Sequence, residues 1–360
     1  MEQIKNVLFG QNAIEKLNEK LHSFKADNKK VFLLCDTNSA HFCKPVLNQL
    51  SIISQLSYET IVIPFGEENK NIDTVRIIWD ALTRNGAGRD AVLFNLGGGM
   101  VTDIGGFTAS CFKRGISTMH IPTTLLGMVD AAIGGKTGID YGFLKNHIGT
   151  FYAPENVFIW SEFLSTLPKR ELMAGYGEVL KYGFISDHAL PDFDPLQQKD
   201  HNDWLEIIRI CAEAKQRITL ADPTENGQRK ILNFGHTIGH SFESFALENG
   251  SDLLHGEAVA CGMISELWLS NQLLGLPEVV LQKYLQVFKK HFLPFRFTFS
   301  SMDDLMVRMQ HDKKNAGNEM RFVLIKNQGE PVYDVAVSKN LVKQSLEFYM
   351  EATDFEIQLT

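Results

Sequence analysis

The stretch NLGGGMVTDIGGF, residues 95–107, joins a short apolar strand pattern to a helical pattern through three consecutive glycines. Gly97, Gly98 and Gly99 have no side chains, so the backbone N–H groups of this turn can approach a pyrophosphate closely. The spacing departs from the dinucleotide pattern GxGxxG, because the second gap ends at Thr102. The stretch therefore predicts a strand–turn–helix unit, and it leaves a structural turn and a phosphate loop equally open.

The sequence on either side of this turn alternates between strand patterns and helical patterns. Between several of the strand patterns lie helical periods such as NIDTVRIIWDALTRNG. The strand patterns are KKVFLLCD, ETIVIPFG, AVLFNLGGG, STMHIPTT and NVFIW. This alternation predicts an α/β, Rossmann-like domain with a mostly parallel sheet and helices on both faces.

The pattern of hydrophobic residues changes after about Trp160, where most segments have helical periodicity. The segment RFVLIKNQGEPVYDVAV is an exception, and it predicts two strands around a Gln-Gly turn. We therefore predict an α/β domain over residues 1–155, followed by a mainly α-helical domain over residues 156–360.

Composition limits the function classes. The chain has 360 residues, 44% of them hydrophobic, and a formal net charge of −8 with a pI near 5.8. This charge argues against general binding to nucleic acid or to an anionic membrane, since both need excess Lys and Arg. The start has no apolar signal core, and no apolar run approaches the ~18–20 residues of a membrane span. The five scattered cysteines predict reduced thiols in a cytoplasmic protein.

Two histidines stand one helical turn apart in LNFGHTIGHSFE. His236 and His240 share a face at this spacing, LLHGEAVACG adds His255, and GEVLKYGF adds Glu178. Three nitrogen or oxygen ligands with an open position are typical of a catalytic zinc site. The alternatives are two ordinary polar positions on a helix and a salt bridge between Glu178 and Lys181.

Charged side chains also stand in the glycine-rich segment VDAAIGGKTGIDYGFLKNHIG. In such surroundings these side chains indicate more than a solubilising role, although each lysine alone is more often a solvated surface residue. They are Asp130, Lys136, Lys145 and Asn146. Asp36, which ends the strand pattern KKVFLLCD, either bonds a ribose hydroxyl or caps a helix.

These motifs together identify a family. The chain resembles the 3-dehydroquinate synthases of the shikimate pathway from about Asp36 to the segment QHDKKN near residue 315. The motifs are GEENK, GGGMVTDIGGF, RGISTMHIPTTLLGMVDAAIGGKTGID, LKNHIG, TLPKRELMAGYGEVLKYG, LNFGHTIGH and LHGEAVA. Their order and spacing make the match specific.

The resemblance implies the site residues. It implies that Glu178, His236 and His255 bind a metal ion, either zinc or cobalt. It also implies that His240 contacts the phosphate of the substrate. The substrate residues that it implies are Asp130, Lys136, Lys145, Asn146, Lys181, Lys215, Arg229, Asn233, one of Lys313 and Lys314, and Arg114 from a neighbouring subunit. The NAD contacts that it implies are Asp36, Asn38, Glu67, Lys70, Gly98, Gly99, Asp103, Thr123, Thr124 and Thr166, together with Lys136 and Lys145. One departure from the family pattern is Asp140, where many members have Asn.

The resemblance also implies a reaction. A homodimeric phosphorus–oxygen lyase would convert 3-deoxy-D-arabino-heptulosonate 7-phosphate to 3-dehydroquinate and phosphate, through transient oxidation by NAD, β-elimination, reduction and aldol closure. The alternatives are a polyol or alcohol dehydrogenase that consumes NAD, another sugar-phosphate cyclase, and a non-catalytic binder of NAD or metal. The anion-binding set Lys136, Lys181, Lys215 and Arg229 argues against the dehydrogenase.

Overall fold

The computed structural model describes residues 6–49, 57–142, 144–187, 194, 195, 197, 200, 203–311 and 319–354. The chain divides into two compact units, one of Met1–Leu172 with Leu196–Pro223 and one of Met173–Pro195 with Thr224–Thr360. The predicted domain boundary near residue 155 stays a prediction. In the described part of the chain, no helix is both long and apolar enough to cross a membrane.

The first unit is an α/β layer structure. Its strands are β1 (Val7–Phe9), β2 (Val31–Asp36), β3 (Tyr58–Ile63), β4 (Val92–Gly97), β5 (Ser117–Pro122), β6 (Lys136–Tyr141), β7 (Leu144–Phe151) and β8 (Asn156–Ile159). Its helices are α1 (Gly10–Ala26), α2 (Thr37–Phe42), α3 (Lys44–Leu47), α4 (Ile72–Arg84), α5 (Gly99–Cys111) and, later in the chain, α7 (Asp203–Ala221). Short 3₁₀ segments lie at Glu67–Asn69, Phe112–Arg114 and Ser161–Thr166, and a π turn lies at Gly127–Ala131.

Six of these strands form one parallel sheet in the order β1-β8-β5-β4-β2-β3. Its central strands are buried on both faces because helices cover them, which is why their sequences are apolar without alternation. Phe32, Leu34 and Leu93 from the sheet pack with Ile78 of α4 and Ile104 of α5 in the core. The parallel sheet predicted from the strand patterns is confirmed, and β6 and β7 add a separate antiparallel hairpin.

The second unit is mainly helical. Its helices are α6 (Lys169–Ile185, which begins in the first unit), α8 (His236–Glu248), α9 (His255–Leu274), α10 (Glu278–His291), α11 (Met302–His311) and α12 (Lys339–Ala352). Further 3₁₀ segments lie at Gln228–Asn233 and Phe299–Ser301. The strands β9 (Glu319–Asn327) and β10 (Glu330–Ser338) pair antiparallel around the Gln-Gly turn, as the sequence predicted. The expected fold class, an α/β part with a parallel sheet followed by a mainly helical part, is confirmed.

Candidate active site and family membership

The glycine turn lies where β4 ends and α5 begins. An added Cβ at Gly98 would stand 2.9 Å from Thr124 Cγ2, and one at Gly97 would stand 2.5 Å from Val101 Cγ2. The Thr123 amide donates to the Gly97 carbonyl at 3.0 Å, so the ends of β4 and β5 are adjacent. Close packing therefore requires the glycines whether or not a phosphate binds, and the phosphate role stays a prediction.

A buried lysine organises the polar groups beside this turn. Lys70 Nζ lies 2.7 Å from Asp103 Oδ2, 2.6 Å from Asn146 Oδ1 and 3.5 Å from Glu67 Oε1. Burial disfavours the Lys70 ammonium, but Asp103 and Glu67 outweigh it and raise the pKa of Lys70. Lys145 Nζ lies 3.7 Å from Glu67 Oε1. Five residues that the family resemblance selected thus form one charged network in the first unit.

Asp140 shapes the end of this network. Its Oδ1 accepts from the Asn146 amide at 2.7 Å, and its own amide donates to the Lys70 carbonyl at 2.8 Å. Asn146 has a φ of +49°, a left-handed conformation that costs energy outside glycine and needs such support. The departure from the family pattern at position 140 therefore retains an acceptor for this turn.

A second ion pair joins two more predicted substrate residues. Lys215 Nζ on α7 lies 2.8 Å from Asp130 Oδ2 and 2.6 Å from the Asp130 carbonyl oxygen. Lys215 is buried, so the pair holds its ammonium in a fixed place. Lys136, at the start of β6, is exposed.

Three helices of the second unit bring the predicted metal ligands together. Glu178 lies on α6, His236 begins α8 and His255 begins α9. Glu178 Oε1 lies 3.3 Å from the Nε2 atoms of both His236 and His255. Lys181 Nζ, one turn further along α6, lies 2.5 Å from Glu178 Oε2. The alternative of a salt bridge between Glu178 and Lys181 is therefore present, and the three predicted ligands lie together, while their binding of a metal stays a prediction.

The chemistry of this cluster fits a divalent metal. Glu178 has no exposed surface, yet among the described residues neither of its carboxylate oxygens accepts a hydrogen bond of good geometry. Burial would raise the pKa of Glu178, but Lys181 and His236 outweigh it and hold this pKa well below its usual range. A buried, ionised carboxylate beside two imidazoles offers the oxygen and nitrogen donors that zinc and cobalt accept.

Each of the three predicted ligands has a glycine next to it, and those glycines allow the helices to approach. An added Cβ at Gly177 would stand 2.2 Å from the Gly256 carbonyl oxygen, and one at Gly256 would stand 1.8 Å from the Ala174 carbonyl oxygen. Gly235 has a φ of +81°, and a Cβ there would meet Met263 Cγ at 2.6 Å. These backbone approaches place Glu178, His236 and His255 within reach of one centre.

Comparison with known proteins decides the family. Sequence profiles of the 3-dehydroquinate synthase N-terminal and C-terminal regions match residues 60–174 and 175–315. The chain belongs to the 3-dehydroquinate synthase family. The 3-dehydroquinate synthase of Parabacteroides distasonis is 42% identical over 342 residues, which are 93% of this chain and 95% of that protein.

Two solved structures of synthases are similar to this chain. The 2-epi-5-epi-valiolone synthase of Streptomyces hygroscopicus, with NAD⁺ and Zn²⁺ bound, is 27% identical with a TM-score of 0.80, and the match covers 90% of this chain and 91% of that one. A 2-deoxy-scyllo-inosose synthase with carbaglucose-6-phosphate, NAD⁺ and Co²⁺ is 25% identical with a TM-score of 0.80, and the match covers 94% and 95%.

His240 also lies at the ligand cluster. Its ring centroid is 5.2 Å from that of His236 and 5.6 Å from that of His255. One nitrogen from each of the three histidines can be chosen so that all lie within 4.8 Å of one another. Since His240 can reach the same centre, its assignment to the substrate phosphate stays a prediction.

The 3₁₀ segment Gln228–Asn233 carries two predicted substrate residues. Arg229 is 1% exposed, and Asn233 Nδ2 donates to Glu225 Oε1 at 2.9 Å. Between them, Lys230 Nζ lies 2.5 Å from Asp334 Oδ2 on β10. The hairpin β9–β10 thereby anchors the segment that holds a fully buried guanidinium.

The remaining predicted residues have less decisive surroundings. Asp36 caps α2, with its Oδ1 accepting from the Ser39 amide at 2.7 Å, so the helix-cap alternative is present. Thr166 Oγ1 donates to the Phe163 carbonyl at 3.2 Å. Asn38 lies on α2, and Arg114 is exposed. Lys313 and Lys314 lie outside the described residues.

Sequence reasoning missed two buried carboxylates near the ligands. Glu243 Oε2 lies 3.2 Å from His255 Nδ1. Glu266 on α9 accepts from the Gly235 amide at 2.6 Å, directly before the first residue of α8. The available signal was an acidic residue inside a largely apolar helix pattern, as in HSFES and GMISELW.

Proposed function

We propose that this chain is a 3-dehydroquinate synthase that acts on 3-deoxy-D-arabino-heptulosonate 7-phosphate. The observation that carries the proposal is the convergence of Glu178 with His236 and His255, within a chain of this family. The product would be 3-dehydroquinate together with phosphate, which makes the chain a lyase.

The cofactors would be NAD and a zinc or cobalt ion. Glu178, His236 and His255 would hold the metal. The turn around Gly98 and the start of α5 would hold NAD, since unhindered N–H groups at a helix N-terminus bind phosphate. When bound, the metal supplies a Lewis acid for a substrate oxygen, and NAD supplies a transient hydride acceptor.

The chain's own residues would bind the two anionic ends of the substrate. Arg229 suits the carboxylate because a buried, planar guanidinium can donate two parallel hydrogen bonds. His240 and Asn233 would donate to the phosphate. Lys181 and Lys215 would add fixed positive charge, because their ammonium groups are held by Glu178 and Asp130.

The activity test uses purified protein with the heptulosonate phosphate, zinc and NAD far below the substrate concentration. We expect many equivalents of phosphate and of 3-dehydroquinate per NAD, because NAD would end each cycle oxidised. A dehydrogenase would instead stop after one equivalent of NAD. Stoichiometric NADH accumulation without phosphate release would overturn the proposal.

Another sugar-phosphate cyclase is the second candidate, because one similar solved structure, a 2-deoxy-scyllo-inosose synthase, is complexed with carbaglucose-6-phosphate. The test that separates the two is a sugar phosphate that lacks the carboxylate. We expect little turnover of it, since the hydrogen bonds that Arg229 would donate to the substrate carboxylate would be missing. Faster turnover of that sugar than of the heptulosonate would favour the second candidate.

We also propose that the protein is a homodimer in which Arg114 reaches the active site of the neighbouring subunit. We further propose that the protein is located in the cytoplasm. The turn Lys113-Arg114-Gly115 supports the first proposal, since all three residues have positive φ and Arg114 is exposed. The five free cysteines support the second, because cytoplasmic proteins keep thiols reduced.

A further inference from the structure

Glu243 contacts one of the proposed metal ligands from the side away from the ligand cluster. Its Oε2 lies 3.2 Å from Nδ1 of His255, whereas Nε2 of the same ring lies 3.3 Å from Glu178 Oε1. One ring nitrogen of His255 therefore faces the cluster and the other faces a second carboxylate. Glu243 is buried, so water competes little for this contact.

The other histidine ligand is oriented by a different kind of acceptor. Nδ1 of His236 lies 3.0 Å from the Phe234 carbonyl oxygen, which the chain itself fixes. The His236 side chain is 11% exposed and the His255 side chain is 30% exposed. Packing therefore constrains His255 less than His236, and its ring depends more on the carboxylate.

We propose that Glu243 is a positioning residue for His255. Its carboxylate accepts the Nδ1–H, which leaves Nε2 without a proton, and its charge makes Nε2 a stronger donor to a metal. Helix α8 thus supplies one metal ligand, His236, and the group that orients a second ligand from α9. The inference rests on the proposed metal site.

The test measures zinc affinity of the full-length apoprotein, without substrate or NAD, by competition with a chelating dye. Partners of metal ligands in other proteins change affinity by ~10–100-fold, so we expect that loss for Glu243→Ala. Glu243→Gln should lose less, because its amide oxygen still accepts but carries no full charge. Glu248→Gln is the matched control on the same helix. Glu248 pairs with Arg308 near the surface, and its loss should leave zinc affinity within about twofold.

A second readout separates orientation from general damage. The visible absorption of the cobalt-loaded protein should change in both Glu243 variants and stay unchanged in Glu248→Gln, because it reports the ligand field. Thermal unfolding of each apoprotein monitors the fold. Wild-type zinc affinity in both Glu243 variants would overturn the inference and leave the metal site standing. A wild-type protein that does not bind zinc would overturn both.

Discussion

At the residue scale, the ligand cluster combines functions that the sequence suggested separately. His236 and His240 are one turn apart on α8, so one face of a helix can present one imidazole to a metal and the other to a neighbouring substrate group. The geometry alone allows His240 either role, since all three histidines lie close together. Substitution can separate these roles, because losing a ligand and losing a substrate contact have different consequences.

We expect His236→Ala to lose zinc and all turnover, whereas His240→Ala keeps its zinc. A donor at the leaving phosphate is used when charge develops there, and losing such a donor typically slows a reaction ~10²–10³-fold. Metal analysis beside single-turnover phosphate release measures both effects. Normal release in His240→Ala would show that His240 only fills the helix face, and loss of its metal would make it a ligand.

The shared helix face of His236 and His240 could be predicted from sequence, but the surroundings of the cluster could not. A His pair at i,i+4 shares a face whatever the fold, so the sequence was sufficient for that step. The contact between Glu243 and His255 depends on how α8 packs on α9. Local periodicity contains no information on such packing, and a carboxylate in an apolar pattern only shows that some partner is needed.

A buried histidine outside the site predicts how stability depends on pH. His120 lies in β5, with Nδ1 3.0 Å from Asn95 Nδ2, and burial lowers its pKa to about 3. Because this pKa lies below the unfolded value near 6.5, the unfolded chain binds the proton first. The neutral, buried His120 therefore makes its full contribution to the free energy of unfolding above pH 6.5, and this contribution decreases as the pH falls toward 3.

We expect His120 to lower the free energy of unfolding by about 2 kcal/mol when the pH falls from 6.5 to 5, at roughly 1.4 kcal/mol per pH unit. Urea unfolding of wild type and of His120→Gln at the two pH values measures it, and the variant should lose less stability on acidification. His22→Gln, at an exposed site on α1, is the control and should behave as wild type. Equal pH dependence in His120→Gln and wild type would contradict the prediction.

At the element scale, the site depends on a close crossing of α6 and α9. Gly177 precedes Glu178, and Gly256 follows His255, so the backbones meet beside the ligands themselves. The sequence showed these glycines, but a glycine within a helix pattern is ambiguous, because it marks a packing contact or a weak position equally well. The missing information was the partner helix, which only the three-dimensional arrangement supplies.

We expect Gly256→Ala to destabilise the protein by about 1–3 kcal/mol or more and to weaken zinc binding. The new methyl group would stand 1.8 Å from a backbone oxygen, so a helix has to move rather than a side chain. Thermal unfolding and zinc titration measure the two effects. In the control Gly275→Ala, φ is +74° and nothing lies within 4 Å, so stability should fall but zinc affinity should not. Equal zinc affinity in both variants would refute the role of the crossing.

At the scale of the whole molecule, the order of strands and helices was the most predictable feature. Buried parallel strands have continuous apolar sequences, and β2, β4 and β5 were visible for that reason. The hairpin β6–β7 was not, because its glycines and charges hide the alternation. Subunit association is a further property of the whole molecule, and the exposed turn at Arg114 leads to a test of it.

If Arg114 acts in the neighbouring subunit, two inactive variants should restore activity to each other. In a mixed dimer of Arg114→Ala and Glu178→Gln chains, the site on the first chain has its own Glu178 and receives Arg114 from the second. Random exchange of equal amounts makes half of the dimers mixed, each with one intact site, so we expect about one quarter of wild-type activity. Phosphate release before and after subunit exchange measures the recovery.

The control mixes the Glu178→Gln and His236→Ala variants. Each of these substitutions alters the proposed metal site of the same chain that contains it. Every site in such a dimer stays damaged, so no activity should return. Sedimentation must show dimers in each sample, since exchange requires association. Recovery in the first mixture and none in the second would place Arg114 across the interface. An active monomer, or no recovery between dimers shown to have exchanged, would assign Arg114 to its own subunit or to no site.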